Sequence, residues 1–266
     1  MREPALPEGI AAHTGCQPYR EEGSGKSGAQ VLMYPGLVLK IQPSSPRTVR
    51  EEAMLRWLEG RVPAPRIVHA EDAGGLHYCL MTRVPGRVAC DPVFLSQPEA
   101  LIRRLADALL LLWSVDLTGC PVRRTVDMEL AEARQRVAEG LVDVDNAEPE
   151  TFGPGGFRDP EALLVWLERN RPDEADGGAV LSHGDFCLPN VLFTEAGLGG
   201  FIDLGEAGAG SRWRDVALCH RSLRHITGGI RGTVGPRAQP DALLDRLGLA
   251  PDRDMLRWYL LLDELF

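Results

Sequence analysis

Residues 182–206, SHGDFCLPNVLFTEAGLGGFIDLGE, constrain the fold more than any other stretch of the 266-residue chain. The apolar runs AVLS, VLF and GGFI are too short for helices and read as strands. The first two flank HGDFCLPN, a loop rich in turn-forming residues. Asp185 sits in that loop, Asn190 lies five residues on, before the next strand, and Asp203 follows thirteen later at the end of the third. One such residue alone reads as a turn cap. Three at successive strand ends read as a polar constellation carried on a strand scaffold.

The rest of the chain changes character once. QVLMYPGLVLKIQ, 30–42, gives two apolar runs around Pro35-Gly36, which predicts a β-hairpin. A helix is predicted over 48–60, with Thr48 as cap, Glu51 as its capping-box partner, and an apolar stripe of Val49, Met54, Trp57 and Leu58. RIVHAED and LHYCLMT add two strands. Beyond Pro85-Gly86, helices are predicted over 98–115, 127–140, 160–170, 213–226, 240–248 and from 252 onward. A strand-rich first third and a helical remainder give an α+β chain with two lobes, 1–83 and 84–266.

Composition excludes several classes. A net charge of −9 argues against a nucleic-acid binder, which needs a basic face. The six cysteines, from Cys16 to Cys219, form no C-x-x-C pair and suit a reducing cytoplasm as small core residues. The N-terminal stretch shows no apolar core of a signal peptide, and ALLLLWSV at 108–115 is too short to span a bilayer. The expectation is a cytoplasmic protein acting as a monomer or weak dimer.

The glycine loop EGSGKSGAQV, 22–31, matches two phosphate motifs imperfectly. A P-loop needs Gly where Arg20 stands, and both a P-loop and a dinucleotide loop must feed a helix. This loop feeds a hairpin, so it reads as a flap between strands, with Ser27 in it, that lies over phosphates. Lys40, ending the second hairpin strand, then suits a phosphate contact. Glu51 or Glu52 on the following helix would fix it, with Glu51 favoured because Leu55 and Leu58 share its face. Read singly, Lys40 is a solvated strand end and the glutamates an exposed helix face.

Taken together, these groups point to phosphoryl transfer. That chemistry needs a carboxylate to orient a hydroxyl, oxygen ligands for Mg²⁺, and a cation on the phosphates. The motif H-G-D-x-x-x-x-N with I-D following resembles the aminoglycoside phosphotransferase and choline-kinase-like group. WLEGRVPAPRIVH, EGLVDVD, RWRDVAL and the final WYLLLDELF resemble aminoglycoside 3′-phosphotransferases in particular. The resemblance implies a bilobal protein-kinase-like fold, with a small β-rich N-lobe and a larger, mostly helical C-lobe. It implies Asp185 as catalytic base, Asn190 and Asp203 on Mg²⁺, and Lys40 with Glu51 positioning ATP. It also implies Ser27 in the flap and a hinge from Thr82 to Val84 that bonds adenine through its backbone. For the polycationic aminoglycoside it implies Asp263, Glu264 and Phe266 as amine-binding groups, and Glu148 and Glu150 as an acidic insertion that reads equally as a solvated loop. Leu260, Leu261 and Leu265 read as core. Asp215 reads as structural, bonding backbone near the catalytic loop.

Two positions depart from the resemblance. Glu206 stands where the family usually has Arg, and Leu223-Arg224-His225 stands where relatives often carry acids. Both bear on substrate range. Other readings are a kinase of the same fold for choline, a sugar amine or a macrolide, and a catalytically silent nucleotide-binding module.

Overall fold

The computed structural model describes residues 6–15, 17–22, 28–172, 178–227 and 239–266. Ser27 lies outside them. The chain divides into two compact units. One runs up to Arg87 and includes Leu192–Glu206; the other comprises Val88–Val191 and Ala207–Phe266.

The first unit opens with helix α1, Glu8–Thr14, which the sequence did not signal: it is 7 residues long and lacks a side-chain cap. Five strands follow in a sheet of order β1-β2-β3-β5-β4: β1 Arg20–Glu22, β2 Gln30–Tyr34, β3 Leu37–Pro43, β4 Ile67–Ala73 and β5 Leu76–Thr82. The β2–β3 turn is Pro35-Gly36, with Gly36 at φ 78°, the left-handed geometry that glycine adopts without strain. Ile10, Leu32, Tyr34, Leu39, Ile41, Tyr78 and Leu80 form one buried cluster on this sheet. Register sets Lys40 opposite Val31 on one side and Cys79 on the other.

Helix α2 runs over Pro46–Leu58, two residues earlier than its sequence signal. Ser45, not Thr48, is the cap. Its side chain accepts from the Thr48 N–H, Thr48 returns the bond to the Ser45 N–H, and Pro46 occupies the first turn, where no N–H is needed. Glu51 is thereby freed from capping. Val49, placed on the apolar stripe by spacing, is 66% exposed.

Residues 192–206, expected in the second lobe, pack with the first unit. The reason lies in the glycines of the hairpin formed by Val191–Thr194 and Gly197–Phe201. A Cβ on Gly199 would stand 2.1 Å from the Pro85 carbonyl oxygen, and one on Gly200 2.6 Å from that of Pro63. Bare backbone lets the hairpin approach, and the Phe201 N–H donates to the Pro63 carbonyl at 2.9 Å. This packing carries Asp203 into the unit that holds Lys40.

The second unit is helical: α3 Pro98–Trp113, α4 Val126–Ala138, α5 Pro160–Arg169, α6 Arg212–Thr227, α7 Asp241–Leu247 and α8 Arg253–Asp263. All six were signalled in the sequence by apolar spacing, and three start at caps that satisfy orphan N–H groups: Thr125, Asp159 and Asp252. Buried Trp258 of α8 donates its indole N–H to the Leu167 carbonyl of α5 at 3.0 Å. A small sheet pairs Gly208–Gly210 with Val180–Ser182 and Arg123–Arg124, which fixes the strand feeding the Asp185 loop. Among the described residues, no helix is long and apolar enough to cross a membrane.

Candidate active site

In the first unit, Lys40 Nζ donates to Glu51 Oε1 at 2.7 Å and lies 3.6 Å from Asp203 Oδ1. Gln42 holds the other Glu51 oxygen at 3.0 Å. The geometry thus selects Glu51 over Glu52, whose carboxylate pairs with Arg56 one helical turn away. Lys40 is largely buried, while the Asp203 side chain is half exposed. Asp203 is the sole non-glycine at positive φ among the described residues, at 57°. That conformation is uncommon for a residue with a Cβ and marks a constrained position. Glu206 ion-pairs with Arg47 at 2.9 Å.

The hinge segment is more selective than its sequence suggested. The Thr82 N–H donates to the Arg66 carbonyl, and Thr82 Oγ1 accepts from the Arg66 N–H, both at 2.9 Å. The Arg83 N–H donates to the Gly36 carbonyl at 2.9 Å. Along 82–84, Val84 alone keeps a backbone N–H with no protein acceptor among the described residues.

In the second unit, Asn190 Nδ2 donates to the Asp185 carbonyl at 3.0 Å and to Asp185 Oδ2 at 2.8 Å. Those bonds orient the carboxylate and leave Asn190 Oδ1 facing no protein donor among the described residues. The loop itself hangs on Asp215, which is wholly buried. One Asp215 oxygen accepts from Ser182 Oγ at 3.0 Å and from the Gly184 N–H at 2.9 Å; the other accepts from the His183 N–H at 2.7 Å. Burial raises its carboxyl above the ordinary value, against the pull of His183 and these donors. Asp215 bonds backbone, as its sequence context suggested.

Sequence reasoning missed Arg214 and its partner. Buried Arg214 donates from Nε to the Gly184 carbonyl at 2.7 Å and pairs with buried Glu129 at 2.8 Å. Its guanidinium also stands 5.5 Å from the Phe266 ring centre. The signal was present in RWRDVAL, where Arg214 precedes Asp215, but nothing in the sequence tells a buried Arg from a surface one.

The acidic positions near the end of α8 are already occupied by cations. Arg221 of α6 binds Asp263 and, at 3.2 Å, Glu264. Burial opposes charge on Arg221, but Asp263, Glu264 and Glu148 outweigh it and hold its pKa above the usual value. Burial raises the Glu264 carboxyl. The Phe266 carbonyl accepts from Arg136 at 2.6 Å. His225 Nε2 lies 3.1 Å from Glu148 Oε1. Glu148 and Glu150 flank Pro149 at the start of a single-turn helix, Pro149–Phe152, rather than in an open loop. Leu260 and Leu261, read as core from spacing, instead line a cavity of about 350 Å³ with Glu148, Glu150 and Glu264; Leu265 is buried.

A sequence profile described as the phosphotransferase enzyme family matches residues 24–259. The chain belongs to that family. It is 35% identical over 219 residues to an aminoglycoside 3′-phosphotransferase of Enterococcus faecalis, covering 82% of this chain and 78% of the relative. It is 36% identical over 256 residues to a streptomycin 3″-kinase of Streptomyces griseus, covering 91% and 90%. Among solved structures it resembles the aminoglycoside phosphotransferase APH(3″)-Id of Streptomyces rimosus in complex with ADP and streptomycin. The TM-score is 0.80 at 26% identity, over 97% of this chain and 96% of that one. The α+β kinase-like fold is thus the fold of this phosphotransferase family.

Proposed function

We propose that this phosphotransferase is an ATP-dependent aminoglycoside kinase that phosphorylates the 3′-hydroxyl of a kanamycin- or neomycin-type compound and so confers resistance. The observation that carries the reading is Lys40, held by Glu51 and facing Asp203 in one unit. That arrangement suits a nucleotide polyphosphate, and relatives sharing about a third of the sequence are named for this activity. Lys40 counters phosphate charge, and Val84 offers its free N–H to the adenine edge. Ser27, outside the described residues, belongs to the proposed flap.

Each unit offers an oxygen donor of the type Mg²⁺ takes: Asp203 a half-exposed carboxylate in the first, Asn190 a spare amide oxygen in the second; Mg²⁺ favours one or two protein oxygens completed by phosphate and water. When bound, Mg²⁺-ATP supplies the phosphoryl group and the metal neutralises its charge. Asp185, oriented by Asn190, accepts the proton of the substrate hydroxyl. Catalysis by this chain is therefore positioning and electrostatics. Glu148, Glu150, Asp263, Glu264 and Phe266 belong to the proposed aminoglycoside side.

A second reading, phosphorylation of the 3″-hydroxyl of streptomycin, draws on the Streptomyces griseus relative. An ADP-release assay with Mg²⁺-ATP on kanamycin, neomycin, a 3′-deoxy analogue and streptomycin separates the two. Asp185→Ala lowers kcat by roughly 10²–10⁴-fold, the loss expected of a general base. Turnover of the 3′-deoxy compound at the rate of kanamycin would exclude the 3′ assignment.

A further inference from the structure

The cavity in the second unit is expected to take a polycation, yet its lining is not acidic. Glu148, Glu150 and Glu264 are met by Arg221, Arg224, Arg253 and Arg257. Most of these charges already have partners. Arg221 serves Asp263 and Glu264, Arg253 pairs with Asp241 at 3.0 Å, and Arg257 lies 5.0 Å from the Trp166 ring centre. His225 sits on Glu148 at 3.1 Å. Apart from Arg257, which has only its ring contact, two charged lining groups have no ion pair or hydrogen bond among the described residues: the Glu150 carboxylate and the Arg224 guanidinium. Arg221, Arg224 and His225 fall at i, i+3 and i+4 of α6, so they share one face.

We infer that this cavity selects aminoglycosides that present one ammonium group to Glu150 and hydroxyl groups, not further ammonium groups, to the α6 face. The inference rests on the aminoglycoside reading above. An arginine offers donors and positive charge, so a hydroxyl oxygen can accept from Arg224 whereas an ammonium group is repelled by it. An ammonium group seeking Glu264 or Glu148 must also displace Arg221 or His225 from a part-buried pair. Breaking such a pair leaves a charge without its partner in a low-dielectric setting. His225 and Arg224 are therefore specificity-determining residues. Arg224 acts through its positive charge and His225 by holding the Glu148 carboxylate, so this surface does not attract every amine of the substrate.

The test uses two kanamycin-type compounds that differ only in one sugar hydroxyl replaced by an amine, assayed for kcat/KM with saturating Mg²⁺-ATP. The wild-type enzyme is expected to favour the hydroxyl compound about tenfold. His225→Glu, which sets a second carboxylate beside Glu148, is expected to abolish or invert that ratio. The exposed Arg224→Gln, which removes the unpaired cation at little risk to folding, is expected to reduce it severalfold. The KM for Mg²⁺-ATP stays unchanged in both. Preference of the wild-type enzyme for the amine compound, or an unchanged ratio in Arg224→Gln, overturns the inference and leaves the aminoglycoside reading standing. No turnover of either compound by a wild-type enzyme that still binds Mg²⁺-ADP overturns the aminoglycoside reading and this inference with it.

Discussion

Asp215→Asn tests how the Asp185 loop is held. The native carboxylate receives three donors at 2.7–3.0 Å and has no access to water. An asparagine placed with its oxygen toward Ser182 and Gly184 keeps two of these bonds. Its amide nitrogen then faces the His183 N–H, donor against donor. A buried N–H left unpaired costs about 1–3 kcal/mol, and bonds to a charged acceptor lose a similar amount. Relief of the buried charge, which already raises the Asp215 pKa, offsets part of this. The net expectation is a loss of about 1–3 kcal/mol, which at roughly 2–4 °C per kcal/mol lowers Tm by some 2–12 °C. His183 and Gly184 directly precede Asp185, so kcat should fall at least tenfold while the KM for Mg²⁺-ATP holds. Differential scanning calorimetry and steady-state kinetics measure both. A variant with unchanged Tm and kcat would mean that Asp215 is already protonated in the wild-type protein and that the loop does not depend on its charge.

Other perturbations follow from particular contacts. Gly199→Ala forces a Cβ to 2.1 Å from the Pro85 carbonyl oxygen, so it should cost about 1–3 kcal/mol, seen as a lower Tm; an unchanged Tm would mean that the hairpin shifts freely. The hydrogen bond from His220 holds the Asp241 carboxyl below its ordinary value of 3.8. A depressed carboxyl contributes stability above its unfolded pKa and loses it as pH falls through the folded one. Asp241→Asn should therefore lower Tm at pH 7, and the difference should shrink below about pH 3.8. Burial pushes the Cys79 thiol up to about 12 and raises Cys219 as well. Both should resist alkylation at pH 8 until the protein unfolds, as mass spectrometry of labelled peptides would record.

The sequence alone determined the polar constellation and most of the elements. HGDFCLPN and FID carry Asp185, Asn190 and Asp203 at strand ends because turn residues and short apolar runs are local signals. The helices were legible because their apolar spacing is local too. Lys40 and Glu51 were legible as candidates, since a hairpin followed by a helix sets them 11 residues apart. The cap of α2 was missed for a local reason: the sequence signal points to Thr48, and which side chain turns back on the first turn is decided by geometry over three residues. Long-range contacts were not legible. That residues 192–206 belong with the first unit depends on backbone approach at Gly199 and Gly200, which no local pattern states. Arg214, Arg221 and His225 are ordinary surface residues by composition. Tertiary structure alone sets the first against Gly184 and Glu129, the second against Asp263 and Glu264, and the third against Glu148. Sequence spacing fixes which groups a strand or helix presents; which charges cancel is decided by residues far apart in the chain that burial forces to pair.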